Sequence, residues 1–156
     1  MGLDMYLTKE IYVKNWDHQK PEDKHTITVK KGGKTRMDIK PHRICGIIEE
    51  LGYWRKANSI HNWFVQNVQG GHDECQKSYV SRDQLEELLG LVEAALASPL
   101  KASTLLPTVS GFFFGSGEYD EYYIEDLRRT KKILTTAIKD DARECYDTTI
   151  YYQSSW

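Results

Sequence analysis

The chain has 156 residues, of which 40% are hydrophobic and 28% charged, a composition typical of one globular domain and not of a disordered segment. Its 21 basic and 23 acidic residues give a formal charge of −2, which argues against a nucleic-acid partner, because such proteins usually concentrate Lys and Arg on one face. Three widely spaced cysteines, no signal-peptide pattern and no apolar stretch long enough to span a bilayer predict a cytoplasmic protein without a membrane partner.

Strands are predicted in the first third of the chain. Apolar and polar residues alternate at its start, so residues 3–13 are expected to be β. Residues 26–30 and 35–39 flank a Lys-Gly-Gly-Lys turn and predict a hairpin, because two glycines supply the positive φ angles of a tight turn. Residues 44–51 predict another strand, which Gly52 is expected to end.

Two helices are indicated in the middle of the chain. Apolar residues recur at helical spacing from Ala57 to Val68, and a pair of glycines follows them. Ser81 and Gln84 form a capping-box pair in front of a long apolar stripe that Pro99 ends. Both helices are therefore expected to have an apolar face turned towards a core.

The remaining elements complete a mixed fold. Residues 111–115, a Gly-Phe-Phe-Phe-Gly run, predict a short buried strand or a bulged turn, and residues 119–139 predict a long amphipathic helix. Residues 148–152 predict a last strand. Four or five strands and three helices that do not alternate strictly predict an α+β fold, with a mostly antiparallel sheet and one domain over residues 1–156.

Residues 52–65 hold an unusual concentration of aromatic and polar side chains. Taken as one helix, the segment places Trp54, Asn58, His61 and Val65 at i, i+4, i+7 and i+11, which is a row along one face. The row offers an indole, an amide and an imidazole to a neighbouring pocket, and these groups suit a nucleobase or a ribose. An aromatic packing corner with satisfied N–H groups is the alternative.

Residues 111–123 bring three glycines and a serine to the start of a predicted helix. Free backbone N–H groups at a helix start attract anions, which makes Ser116 and Gly117 candidate anion-binding residues. The spacing matches neither the phosphate loop nor the dinucleotide-binding pattern. Carboxylates in a first turn stabilise the helix dipole, so Asp120 is predicted to cap the helix and not to act as a catalyst.

Metal and nucleophilic chemistry are not indicated by the spacing of the relevant residues. The densest group of possible ligands, residues 72–75 with the sequence His-Asp-Glu-Cys, matches no zinc spacing. No serine or cysteine has a base at a recognisable spacing. The sequence therefore predicts no metal, no cofactor and no catalytic set.

The stretches MGLDMYL, YWRKANSIHNWFV and GFFFGSGEYDEYY together resemble a group of small, uncharacterised proteins encoded by bacteriophages and prophages. The likeness extends over most of the chain, and YWRKAN-x-IH-x-WF is its most specific part. The resemblance implies the cytosol of a bacterial host as the setting. Small phage proteins of the cytosol often counter host defence, in some cases by enclosing a nucleotide signal without cleaving it, and this analogy concerns setting only.

These segments lead to the hypothesis of a phage-derived protein that captures a nucleotide-like small molecule. Aromatic rings would stack on the base, an amide and an imidazole would hydrogen-bond it, and basic side chains with backbone N–H groups would hold phosphate. The residues expected in these roles are Tyr53, Trp54 and Tyr119 for stacking, Asn58 and His61 for the base, and Arg55, Lys56, Ser116 and Gly117 for phosphate.

Two alternatives come from other functional classes. One is a nucleotide-directed hydrolase or transferase with His61 as general base and Asp120 or Glu118 as acid or metal ligand. The other is a protein-binding inhibitor that uses aromatic residues expected to be exposed, such as Trp16, Tyr151, Tyr152 and Trp156. Each is compatible with a homo-oligomer, since the aromatic carboxyl-terminal segment would suit an interface.

Overall fold

Alternating apolar residues at the start of the chain form a central strand of the main sheet, as expected for a strand with one buried face. Strand β1 is Asp4–Tyr12, and the side chains of Leu3, Met5 and Leu7 have no exposed surface. The computed structural model describes residues 2–141 and 147–156 of the chain.

The predicted α+β fold class is confirmed in the described residues. The other strands are β2 Lys30–Lys31, β3 Lys34–Thr35, β4 Gly46–Arg55, β5 Ser78–Tyr79 and β6 Thr148–Ser155, and the helices are α1 Asn58–Asn67, α2 Arg82–Ala97, α3 Ala102–Leu105 and α4 Glu121–Lys139. The main sheet has the strand order β4-β1-β6-β5 and is antiparallel throughout, while β2 and β3 form a separate pair.

One apolar core joins the sheet to the three long helices. The buried face of β1 and β6 contributes Met5, Leu7 and Tyr152. The helices contribute fully buried residues from their apolar stripes, namely Ile60 and Phe64 of α1, Leu85 and Leu88 of α2, and Leu127 and Leu134 of α4. The burial of these side chains is what holds the helices against the sheet.

Strand β4 continues past Gly52, so the prediction that the strand ends there is wrong. Gly52 pairs with Leu7, next to an irregularity in the register. A Cβ on Gly52 would lie 2.4 Å from Cγ2 of Ile133, so glycine is needed here because α4 packs closely against the strand. As a consequence residues 53–55 belong to a strand and not to the helix that follows.

The predicted hairpin is present but much shorter than expected. The strands cover only Lys30–Lys31 and Lys34–Thr35, with one further hydrogen bond from Arg36 N to Val29 O at 2.9 Å, although the sequence predicts arms over residues 26–30 and 35–39. The two glycines of the turn have φ angles of 56° and 78°, as the turn requires. The arms carry few apolar residues that a core would bury, so little extends the pairing beyond the turn.

The helix predictions are largely confirmed, with ends that shift by one or two residues. In α2, Ser81 Oγ accepts from Gln84 N at 3.1 Å and Gln84 Oε1 accepts from Ser81 N at 2.9 Å, which is the expected capping box. Asp120 caps α4, as predicted, by accepting from Tyr123 N at 3.1 Å. Residues 112–114 form a turn. None of the described helices is both long and apolar enough to cross a membrane.

Candidate ligand-binding cleft

A cleft of about 410 Å³ lies where the end of β4 and the start of α1 meet the segment before α4 and the first turns of α4. Pockets that hold small molecules usually measure roughly 300–1,000 Å³. Four of the nine residues proposed from the sequence line it, and they come from both of the unusual segments: Arg55, Lys56, Asn58 and Ser116.

The first wall of the cleft is the junction between β4 and α1, where Lys56 has a strained backbone. Its φ of 59° lies in the left-handed region that non-glycine residues rarely adopt. Lys56 N donates to Leu3 O at 2.8 Å, and Lys56 O accepts from Asn58 N at 2.9 Å. A Cβ on Gly115 would lie 3.1 Å from the Cβ of Lys56. Such strain costs about 1–2 kcal/mol and is often found at ligand sites.

Two basic side chains of this wall are free to meet a ligand. Arg55 and Lys56 are both exposed and adjacent in the chain. Within the described ranges neither forms an ion pair with a carboxylate. Their positive charges are therefore not neutralised by any carboxylate that the structure describes.

Asn58, the first residue of α1, holds the segment before α4 in place. Its side chain is buried, and Nδ2 donates to Phe114 O at 3.1 Å and to Ser116 O at 2.7 Å. Oδ1 accepts from Val109 N at 3.2 Å. The amide thus satisfies three backbone groups, so it positions the cleft wall and has little capacity left for a ligand.

The segment of residues 107–119, which we call the cleft loop, is also tied to itself. Thr108 Oγ1 donates to Gly117 O at 2.8 Å, and Thr108 N donates to Tyr119 Oη at 3.1 Å. Leu3 N donates to Phe113 O at 3.1 Å, which fixes the loop to the start of β1. Because its two ends are cross-linked and its tip is anchored, the loop forms a defined wall.

The anion site expected at Ser116 and Gly117 is only partly available. Ser116 Oγ accepts from Glu118 N at 3.1 Å, and Asp120 takes the amide of Tyr123. These two N–H groups are therefore already satisfied by the protein. Ser116 lines the cleft, whereas Gly117 offers its carbonyl to Thr108 outside the lining.

The second wall is acidic and comes from the start of α4 and the residues before it. Glu118, Asp120, Glu125 and Asp126 line it. Burial raises the pKa of the Asp126 carboxyl to about 6; Arg129 opposes the rise, and Asp120 and Glu125 add to it. No hydrogen bond from a described residue contributes to this pKa, so the carboxylate is an available acceptor near neutral pH.

Two tyrosines of α4 line the cleft in different ways. Tyr123 is buried and donates to Leu106 O at 2.9 Å, and burial raises the pKa of its phenol to about 12. Tyr122 is 80% exposed, so its ring is free to cover a bound molecule. Tyr119 packs edge-on against Tyr123 with ring centroids 4.9 Å apart and lies outside the cleft lining.

Tyr53 and Trp54 do not line the cleft. Trp54 has no exposed surface, and its Nε1 donates to Thr130 Oγ1 at 2.8 Å. Tyr53, as its neighbour on a strand, points to the other face of the sheet, where its hydroxyl donates to Asp4 and its ring contacts Tyr6. Neither ring is placed to stack on a ligand of the cleft.

His61 lies in a buried hydrogen-bond network and not in the cleft. It is 1% exposed; Nδ1 is 2.7 Å from Tyr152 Oη and Nε2 is 2.9 Å from Asp73 Oδ2. Trp156 Nε1 donates to Asp73 Oδ1 at 3.1 Å. Burial raises the pKa of Tyr152 well above its usual value, so its hydroxyl remains a donor. A His61 tautomer with the proton on Nε2 satisfies both contacts.

Sequence reasoning named Arg55, Lys56, Glu118 and Asp120 but missed the two carboxylates inside α4, Glu125 and Asp126, and the exposed ring of Tyr122. Asp126 and Tyr122 lie four residues apart on α4, at the border between its apolar and charged faces. That spacing is the signal that would have found them. The spacing shows only that Asp126 and Tyr122 share a face of α4. It does not indicate that Arg55 and Lys56 lie on the other wall of the same cleft.

The comparisons with known proteins leave the function to be argued from this geometry. The chain matches no family model, and it has no significant match among curated proteins or solved structures. Within residues 2–141 and 147–156, no three His, Cys, Asp or Glu side chains are arranged to hold a metal ion.

Proposed function

We propose that this protein binds a small nucleotide-like molecule in the cleft and holds it without turning it over. The observation that supports this most is the division of charge. Arg55 and Lys56, which form no ion pair with a described residue, line one wall, and four carboxylates line the other. A ligand that satisfies both walls carries an anionic group at one end and hydrogen-bond donors at the other, as a nucleotide does.

The phosphate of such a ligand belongs at the β4–α1 junction. Arg and Lys are the usual partners of phosphate, and Arg55 offers a planar, bidentate set of donors. The strained backbone of Lys56 keeps its side chain beside Gly115 at the entrance to the cleft. The acidic wall would repel the same phosphate, so the charge of the cleft fixes the orientation of the ligand.

The base then faces the acidic wall, and this favours guanine. A carboxylate only accepts hydrogen bonds near neutral pH. Guanine presents two adjacent N–H donors on its Watson–Crick edge, which match the two oxygens of one carboxylate. Asp126 suits this role because it is partly buried and has no donor from the described protein. Tyr122, which lines the cleft and is 80% exposed, would stack on the base.

Binding is favoured over catalysis because the expected general base is elsewhere. Both ring nitrogens of His61 contact protein groups, and the ring is buried. Of the aromatic residues expected to serve the protein-binding alternative, Trp16 and Trp156 are 43–45% exposed. Tyr151 is half-buried and Tyr152 is fully buried, so the expectation of an exposed surface is wrong for Tyr152. If the resemblance to phage and prophage proteins holds, the captured molecule is a nucleotide signal of the bacterial host.

Calorimetric titration tests the proposal. The panel consists of guanosine, adenosine and cytidine phosphates, cyclic nucleotides and ADP-ribose, each with its phosphate-free nucleoside where one exists. We expect guanine nucleotides to bind most tightly and to lose about 10–100-fold in affinity without phosphate, because a charge-assisted hydrogen bond contributes about 1.5–3 kcal/mol. Chromatography of the recovered ligand should show it unchanged.

Two variants test the acidic wall and the basic wall of the cleft separately. Asp126→Asn should remove the preference for guanine, and Lys56→Gly should weaken every phosphate-containing ligand. Lys139→Gln, which changes an exposed lysine at the other end of α4, is the control and should bind as wild type. Absence of binding across the whole panel would overturn the proposal, and cleavage of a bound nucleotide would replace capture with catalysis.

A further inference from the structure

The net charge of −2 conceals a strong separation of charge along the chain. Residues 24–43, which we call the basic arm, contain seven Lys and Arg residues and one acidic residue. The other 136 residues therefore hold fourteen basic and 22 acidic residues. The formal charge is +6 for the arm and −8 for the rest, so the whole-chain balance is a poor guide to what the arm binds.

The arm stands apart from the main sheet. Its strands β2 and β3 pair only with each other. Lys30, Lys31 and Lys34 are exposed, and a Cβ built on Gly32 or Gly33 would meet no atom within 4 Å. The tip of the arm is thus surrounded by solvent and is accessible to a large partner.

The lysines of the tip repel each other in the free protein. Lys31 lies directly opposite Lys34 in the strand register, and like charges in that position are destabilising. In the described part of the chain, the only ion pair made by a Lys or Arg of the arm joins Arg36 to Asp38. An external anion would relieve a repulsion that the protein itself leaves uncompensated.

We propose that the basic arm binds the phosphate backbone of a nucleic acid without reading its sequence. The cations are spread over both strands and the segments that flank them, which matches a line of phosphates better than a single small anion. Exposed hydroxyls of Thr26, Thr28 and Thr35 add hydrogen bonds of the kind that phosphate oxygens accept.

The composition of the arm favours contacts to the phosphate backbone over recognition of individual bases. It contains no Asn or Gln, the amides that recognise adenine edges. Of the two guanidinium groups of the arm, which are the side chains best suited to guanine, Arg36 is engaged by Asp38, a contact that raises its pKa, and Arg43 lies outside the β2–β3 hairpin. The arm is therefore suited to backbone contacts, and its binding should weaken steeply with salt.

The experiment measures fluorescence anisotropy of the full chain with labelled mixed-sequence duplex DNA and single-stranded RNA over about 50–200 mM salt. The test variant carries Lys30→Gln, Lys31→Gln and Lys34→Gln. The control carries Lys101→Gln, Lys132→Gln and Lys139→Gln, three exposed lysines outside the arm that make no ion pair among the described residues. Both variants change the net charge equally.

We expect wild type and control to bind both nucleic acids, with a logarithmic salt dependence that the arm variant lowers by about 2–3, at roughly 0.7–0.9 per lost phosphate contact. Nucleotide binding in the cleft should be unchanged in the arm variant, which separates this proposal from the proposed function. Equal loss in the control variant, or no binding by wild type at low salt, overturns the proposal. So does sedimentation showing that the arm variant changes only self-association, since the arm would then pair with the acidic body of a second copy.

Discussion

The cleft and the buried network around His61 are built from neighbouring residues of α1, yet they have opposite properties. Asn58 turns to the cleft loop, and three residues later His61 turns to Tyr152 and Asp73. The cleft keeps unpaired cations and carboxylates beside solvent, whereas the network has its two imidazole contacts inside the protein. Polar residues concentrated in one segment therefore do not imply one site, because a helix sends successive side chains to different surroundings.

The cleft and the His61 network also differ in the kind of hydrogen bond that stabilises them. The His61 network joins α1, the segment before β5, and β6 through side chains. The cleft is shaped by side chains that bind backbone groups, as Asn58 and Thr108 do, while Arg55 and Lys56 form no ion pair with a described residue. Substitutions in the network should therefore change stability, and substitutions on the cleft walls should change binding.

The largest effect is expected for His61→Ala. The substitution removes a buried ring and leaves Tyr152 Oη and Asp73 without their partner, so unfolding free energy should fall by about 2–4 kcal/mol. Urea denaturation followed by circular dichroism measures it. Ligand binding of the folded fraction should persist, and a stable variant that has lost binding would reverse the assignment of the two regions.

Next comes the pair Asn58→Ala and Asn58→Asp. Each loses the donors to Phe114 O and Ser116 O and should cost about 1–3 kcal/mol, with Asp the worse because it places a carboxylate against two carbonyls. Both should also weaken ligand binding, since the cleft loop loses its anchor. If Asn58→Asp were as stable as the wild type, the side-chain amide would not be what holds the cleft loop in place.

The strain at Lys56 predicts a difference between two substitutions that both remove its ammonium. Lys56→Gly should be more stable than Lys56→Ala by about 1 kcal/mol, because only glycine adopts the positive φ without penalty and part of the gain is offset by chain entropy. The two variants should lose ligand affinity equally. A clear difference in their affinities would mean that the backbone conformation, and not the charge, carries the effect.

The smallest effect concerns Asp126 and depends on pH. Its folded pKa of about 6 lies above the ordinary value of 3.8, so the folded state binds the proton more tightly. The stabilisation that this tighter proton binding gives the folded state is complete at pH values below 3.8. It is lost as the pH rises through the folded pKa of about 6. Asp126→Asn should therefore be more stable near neutral pH, by about 1 kcal/mol at most because the carboxyl is partly exposed. Thermal melts should show the difference vanish in acid.

Several features were predictable because their causes are local. The Ser81 and Gln84 capping box, the Asp120 cap and the Gly32-Gly33 turn each depend on residues within three positions. The hydrophobic stripes of the helices were predictable as well, since the spacing of apolar residues at a period of 3.6 is a property of the sequence alone.

Trp54 shows why the site was less predictable. Its spacing from Asn58 and His61 fits a helical row, but the row does not exist because β4 extends through Arg55. That extension depends on pairing with β1, some fifty residues earlier in the chain, and on the room that Gly52 leaves for Ile133. Long-range contacts of this kind override local preference.

The sequence by itself determined the α+β class, the three long helices, the caps of α2 and α4, and the two segments that contribute to the cleft, whereas the short helix α3 was not predicted. Only the tertiary structure decided that Arg55 and Lys56 face Asp126 while His61 and Trp54 are buried. The physical reason is the separation along the chain of the residues that determine each feature. Caps, turns and apolar stripes are set by neighbours along the chain, whereas the side of a sheet or helix that meets solvent is set by which distant surfaces it covers.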